Sequence, residues 1–231
     1  IKPVNKVIGP GNQFVSAAKK EVSGDIGIEA MTAGPSEVLI VADKSSNPEW
    51  LASDLLGQAE HDQLAQCILI SKDKNILEKT KNEVFEQLKN LPRSSIAKKS
   101  LMMNGILIYA NSDKKIIEIT NKIGPEHLEL NVKNYKSFVA KIKNAGSVCL
   151  GKYAVMAMTD YGAPGSNHVL PTDSSSKYSS GLNVSEFMKK ISYITLSKKG
   201  IDKLGPSVIT LANYEGLQGH AQSIVKRIRR K

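Results

Sequence analysis

Short apolar runs recur along the chain with a stretch of helical periodicity between each pair, and that alternation leaves few folds open. The runs are Val38-Leu39-Ile40-Val41-Ala42, Cys67-Ile68-Leu69-Ile70, Ile106-Leu107-Ile108-Tyr109, Leu128 to Val132, and 147–150. Their length and branching predict buried strands. Asn47-Pro48 supplies an N-cap and a first-turn proline, and Leu51, Leu55 and Ala59 then recur every four residues, which predicts a helix over 48–62. Apolar faces built from Leu77, Val84, Leu88 and Leu91, and from Ile116, Ile119 and Ile123, predict helices over 73–91 and 112–123, and another is expected over 133–143. Strands joined through helices of about ten or more residues cannot be hairpins; they need right-handed crossovers. The expected fold is therefore α/β: a mostly parallel, helix-covered sheet, an incomplete Rossmann-like arrangement, with a C-terminal helical extension.

Before the first strand, the chain opens on Ile1 rather than Met and runs into the turn Gly9-Pro10-Gly11-Asn12, as a chain does when entered partway. A helical pattern follows at Phe14, Ala17, Ala18 and Val22. Residues 159–183 are rich in Gly, Pro, Ser, Asn and Asp and form a loop too long for a plain connector; loops of this kind carry function or disorder. Helix is expected again over 184–199 and from about 208 to 228.

Several function classes are disfavoured. No apolar run approaches the roughly 18 residues that span a bilayer, and no secretory signal opens the chain, so a cytoplasmic protein without a membrane partner is expected. Lys and Arg outnumber Asp and Glu by 32 to 22, a net charge of +10. Yet only Arg93, Arg227, Arg229 and Arg230 are arginines, and the lysines are scattered among acids on helical stretches. That is a solvated surface, not a nucleic-acid reader, which favours the bidentate guanidinium. Cys67 and Cys149 each sit inside an apolar run and read as buried strand thiols.

The four histidines stand in distinctive surroundings. His61 follows Gln58 by three residues at the end of the expected 48–62 helix, a spacing that shares a face. His127 follows Glu126 at a loop-to-strand boundary, which suits a base beside an acid. His168 lies eight residues after Asp160 in the long loop, and His220 lies five after Glu215 on the last helix. His61, His220 and Asp160 supply two imidazoles and a carboxylate, a set that suits zinc with an open position, with Gln58 an unusual fourth ligand. The spacing matches neither HExxH nor a cysteine site, and on residues alone each histidine also reads as an ordinary structural one. No Gly-x-Gly-x-x-Gly or P-loop is present; Gly9-Pro10-Gly11-Asn12 can present amides to a phosphate or be a plain turn.

Eight stretches in series carry a resemblance: Gly9-Pro10-Gly11-Asn12, Ala33-Gly34-Pro35-Ser36-Glu37-Val38-Leu39, Asp54-Leu55-Leu56-Gly57-Gln58-Ala59-Glu60-His61, Pro125-Glu126-His127-Leu128-Glu129, Ala145-Gly146-Ser147-Val148, Asp160-Tyr161, Asn167-His168-Val169-Leu170-Pro171-Thr172, and Glu215-Gly216-Leu217-Gln218-Gly219-His220. In order and spacing the chain resembles the C-terminal half or so of histidinol dehydrogenase over essentially all 231 residues. The resemblance implies oxidation of L-histidinol to L-histidine in two NAD-dependent steps through an enzyme-held aldehyde, at the end of histidine biosynthesis. It implies one Zn2+ per subunit on Gln58, His61, Asp160 and His220, and an acid/base pair at Glu126 and His127. It further implies substrate contacts at Ser36, Gln58, His61, His127, Asp160, Glu215 and His220, a nucleotide contact at Asn12, and a homodimer with a shared active site. The domains it suggests are the end of a nucleotide-binding domain (1–35), an α/β zinc and catalytic domain (36–180) and a helical extension (181–231).

The chain departs from the family pattern twice. Between Asp160 and His168 it carries one extra residue near Gly162-Ala163-Pro164-Gly165, and the family's chain is roughly twice as long, its N-terminal part holding most of the nucleotide site. Two other functions stay open at this point: a dehydrogenase of another amino alcohol or diol on the same scaffold, and a truncated, catalytically silent homologue.

Overall fold

In the computed structural model, which describes residues 2–9, 11, 13–29, 34–162 and 167–228, the five apolar runs lie side by side in one sheet. Its strands are β3 (Glu37–Ala42), β4 (Gln66–Ser71), β5 (Gly105–Tyr109), β6 (His127–Asn131) and β7 (Ser147–Leu150). All pairings are parallel, in the order β5-β4-β3-β6-β7. The chain starts in the middle at β3, builds outward through β4 and β5, then crosses back to place β6 and β7 on the other side, the doubly wound plan. All six residues of β3 are buried because helices cover both faces. Alternate residues feed two cores. Val38 and Ile40 pack with Leu51, Leu55, Cys67 and Leu69 under α2 (Pro48–Ala59), α3 (Lys74–Leu88) and α4 (Ser94–Asn104). Leu39 and Val41 pack with Ile68, Leu128, Leu130, Ile116 and Phe138 under α5 (Asp113–Ile123) and α6 (Lys136–Val139).

Local chemistry fixes the helix ends. The Asn47 side chain accepts from the Glu49 amide at 2.9 Å, with Pro48 in the first turn of α2. Asp73 caps α3 in the same way at 2.8 Å, and Gly124 ends α5 in the left-handed region at φ 61°. Ahead of the sheet, the helix α1 (Gln13–Val22) lies between β1 (Lys6–Val7) and β2 (Gly27–Ile28), a two-residue parallel ladder too short to show in the apolar pattern.

Other expectations need correction. The 73–91 helix stops at Leu88, and α4 follows as a separate helix; its only fully buried residues are Ala97 and Ser100, so no apolar stripe announced it. The helix over 133–143 is a single turn, α6. Over 184–199 there is a 3-10 turn, Val184–Phe187, and then no regular structure up to α8 (Lys198–Tyr214); Ile191, Tyr193 and Ile194 are exposed and make no packed stripe. The last expected segment is two helices, α8 and α9 (Gln218–Ile228), parted at Gly216, where φ is 74°.

The chain divides into two units, Ile1–Glu186 and Phe187–Lys231. In the second, α8 and α9 pack so closely that a Cβ on Gly205 would stand 2.9 Å from Ile224. No helix among the described residues is long and apolar enough to cross a membrane.

Gly146 fixes the entry to β7. Its amide donates to Pro125 O at 2.9 Å, and a Cβ there would lie 2.7 Å from Glu126 O and 3.0 Å from Pro171 Cδ. Backbone and a proline ring yield little, so Gly146→Ala is expected to destabilise the fold by about 1–3 kcal/mol. Urea denaturation measures this, and an unchanged midpoint would show that the strand moves aside freely.

Candidate functional site

The residues singled out in the first unit gather at the amino ends of the strands. Glu37, His127 and Ser147 are the first residues of β3, β6 and β7. A helix that follows a strand in a crossover runs back across the sheet, so α2 returns its last turn, with Gln58, to this same end. Ligand crevices in open α/β sheets usually lie at the opposite, carboxyl ends, so fold analogy alone points to the other edge.

The parallel register sets Val38 beside His127, which makes Glu37 and Glu126 neighbours. They brace each other: the Glu37 amide donates to Glu126 Oε2 at 3.0 Å, and the Glu126 amide donates to Glu37 Oε2 at 3.3 Å. Asp173 N–H donates to Glu37 Oε1 at 3.2 Å, and the Ser36 hydroxyl donates to the Glu126 carboxyl. Burial pushes the Glu126 carboxyl up to about 7, and the nearby Glu37 and Asp160 carboxyls push the same way. Burial likewise raises Glu37 to about 7, against the hydrogen bonds it accepts.

His127 stands between two acids. Its Nε2 lies 3.8 Å from Glu126 Oε1 and 3.9 Å from Asp160 Oδ1, too far for hydrogen bonds but well within Coulomb range. Burial holds its pKa far below the ordinary histidine value, outweighing the attraction of Asp160. The ring is neutral and able to accept a proton, with Nδ1 buried and unpartnered. Asp160 comes from α7 (Met156–Tyr161), its side chain only 6% exposed. His168 Nδ1 reaches the same Asp160 oxygen at 3.8 Å from a solvent-exposed position, so this histidine too stands at the site.

The first unit also holds donors suited to a metal. Gln58 is completely buried, yet neither its Oε1 nor its Nε2 has a hydrogen-bond partner. A buried amide left unpaired costs about 1–3 kcal/mol and points to a ligand. An amide oxygen, the Asp160 carboxylate and the His61 imidazole are a donor set zinc accepts. His61 lies beyond the end of α2, which closes at Ala59 with Glu60 as its cap, and is exposed. Among the described residues no three His, Cys, Asp or Glu groups converge closely enough to hold a metal by themselves. In the second unit, Glu215 caps α8 and His220 sits in the first turn of α9, both exposed. Asn12 lies outside the described residues.

Glu126, Ser36 and His168 face a cleft of about 580 Å³, whose other wall is Gly9, Gly11 and the α1 residues Lys19 and Lys20. Three acids escaped the reading of the sequence: Glu37, Asp54 and Glu129. A signal existed for Glu129, an acid inside the apolar run 128–132, where a strand buried on both faces should carry none unpaired.

The raised carboxyls make stability fall with pH. Unfolded, Glu37 and Glu126 are ionised above about pH 5.5; folded, they keep their protons to about 7. The stability they contribute is full below the ordinary value of 4.5 and is lost as pH rises through 7. His127 acts with the opposite sign, but its loss lies below 6.5. The charged groups around the pair are Asp160, Asp173 and Lys177. The thermal midpoint of the metal-free chain should therefore drop by several degrees between about pH 6.5 and 8.5, and Glu37→Gln should lessen that drop, the rest of which Glu126 and the likewise raised Glu129 carry. A midpoint that rises over this interval would contradict the assignment.

Known proteins resemble the chain along its whole length. The sequence model of the histidinol dehydrogenase family matches residues 1–228. Histidinol dehydrogenase of Pelagibacter ubique (strain HTCC1062) is 74% identical over 231 residues, covering 100% of this chain and 54% of the relative. That of Listeria monocytogenes serovar 1/2a is 46% identical over 224 residues, covering 97% and 52%. The crystal structure of histidinol dehydrogenase from Elizabethkingia anophelis superposes with a TM-score of 0.93 at 42% identity, covering 99% of this chain and 52% of that one. The chain spans about half the length of the relatives it matches.

Proposed function

Because the chain belongs to the histidinol dehydrogenase family, we propose that its site takes part in oxidising L-histidinol to L-histidine through an aldehyde, with two NAD consumed, as the last steps of histidine biosynthesis. The observation that carries the reading is the buried trio of Glu126, His127 and Asp160 around His127 Nε2. His127, held neutral by burial, takes the alcohol proton as the substrate carbon gives up hydride. The carboxyls on either side of Nε2 stabilise the imidazolium so formed. Glu126, with a carboxyl that titrates near neutrality, then draws a proton from the water that adds to the aldehyde. Glu37 and Ser36 hold that carboxyl in place throughout.

Gln58, His61, Asp160 and His220 would hold zinc, which when bound fixes the substrate's imidazole and amine and so orients the reacting carbon. The orphaned Gln58 amide supports this set. NAD, when bound, accepts the hydride. Asn12 and the cleft beside Glu126 are assigned to it. Ser36, Gln58, His61, His127, Asp160, Glu215 and His220 are assigned to the substrate, with Glu215 and His220 supplied across a homodimer interface. Sedimentation should show a dimer; a folded monomer that binds zinc through His220 would contradict that part.

The activity is tested by substituting residues 1–231 for the matched part of the Pelagibacter ubique relative. The hybrid should form NADH when given histidinol. A folded, zinc-loaded hybrid that forms none would overturn the reading.

A further inference from the structure

Beneath the site, the buried Glu129 and the half-buried Asp54 join the three elements that carry it. Glu129 lies two residues after His127 on β6, so both project from the same face of the sheet, and the register places Ile40 and Cys149 beside Glu129. It is 1% exposed. Its Oε1 accepts the Met156 amide at 2.7 Å, in the first turn of α7, the helix that holds Asp160 one turn later. Val155, which precedes that helix, offers no side-chain cap, so Glu129 serves in its place. The other neighbour is Asp54 on α2, one turn before Gln58, close enough for its carboxyl to interact with that of Glu129. Among the described residues neither Asp54 Oδ2 nor Glu129 Oε2 has a hydrogen-bond partner.

We propose that the Asp54–Glu129 carboxyl pair is a positioning device that locks α2, β6 and α7 in register, so that Gln58, His127 and Asp160 converge on one point. Two carboxyls can hydrogen-bond only by sharing a proton, and burial favours this by holding both above the usual carboxylate range. Leucines would fill the space as well and cost less desolvation. What they lack is direction. A hydrogen bond fixes the helix along and about its axis, whereas apolar packing lets it slide by tenths of an ångström, enough to misplace a ligand.

The inference rests on the metal reading above, and the test separates the two. Co2+ is the probe, because its visible spectrum reports ligand geometry independently of turnover. Glu129→Leu removes both interactions at nearly constant volume; Glu129→Gln keeps an acceptor for Met156 and offers Asp54 a donor. We expect the Leu variant to bind Co2+ roughly 10–100-fold more weakly with a shifted spectrum. The Gln variant should stay within about 3-fold of wild type with an unshifted spectrum, the rescue that a pure packing role does not give. Should Glu129→Leu fail to fold, Asp54→Ala carries the test, since it spares the Met156 bond and loosens only α2; it too should lose affinity. Variants that match wild type in affinity and spectrum overturn the inference, as does a Gln variant no better than Leu. A wild-type chain that takes up no Co2+ overturns the metal reading first, and this inference with it.

Discussion

Replacing His127 by Asn in the hybrid chain is expected to lower kcat for histidinol roughly 10²–10⁴-fold, with metal content and KM little changed. Asn keeps some polarity at the first residue of β6 but cannot take a proton. The ground-state contacts assigned to substrate run largely through other residues, so the loss should fall on kcat. Glu126→Gln should behave differently. It keeps the acceptor for the Glu37 amide and the shape of the carboxyl, so the first oxidation proceeds, but the water that attacks the aldehyde loses its base. Turnover should then stall with one NADH formed for each histidinol consumed. Two adjacent residues with separable defects would show that the acid and the base serve successive steps; equal defects in both would show one coupled unit instead.

Replacing Gln58 by Leu should abolish zinc retention through dialysis and at the same time raise the stability of the metal-free chain by about 1–3 kcal/mol. The two effects share one cause. Gln58 is completely buried with both amide atoms unpaired, a cost the fold bears only if a ligand meets them. Leu has similar bulk and no polar atoms, so it removes the cost and the ligand together. His61→Ala should also abolish retention, but with little effect on stability, because His61 is exposed. If Gln58→Leu destabilises the metal-free chain, the amide has partners after all and the metal assignment loses its main support.

The sheet was legible in the sequence because its central strands, β4, β3 and β6, are covered on both faces. A run such as Val38-Leu39-Ile40-Val41-Ala42 has no other use, and helices long enough to cross over stood between the runs. The α4 helix and the 188–197 segment were not legible for the same physical reason. Ala97 and Ser100 bury too little to mark a stripe, while Ile191 and Ile194 are apolar and yet stay exposed. At the site, Glu126 and His127 stood out because an acid and a base were adjacent in sequence. Glu37 and Asp54 lie on other elements and Glu129 two residues further along β6, and what they meet depends on a register that sequence alone does not print. Glu129 is the instructive case: alternation says that it faces the same side as His127, and only the fold shows Asp54 and the Met156 amide waiting there.

The most direct test is the amount of NADH formed per histidinol consumed by the hybrid chain, followed by absorbance with histidinol limiting. The account predicts two for the wild-type residues, one for Glu126→Gln, and almost none on the same time scale for His127→Asn. A hybrid that still forms two at an undiminished rate with both residues replaced would contradict it.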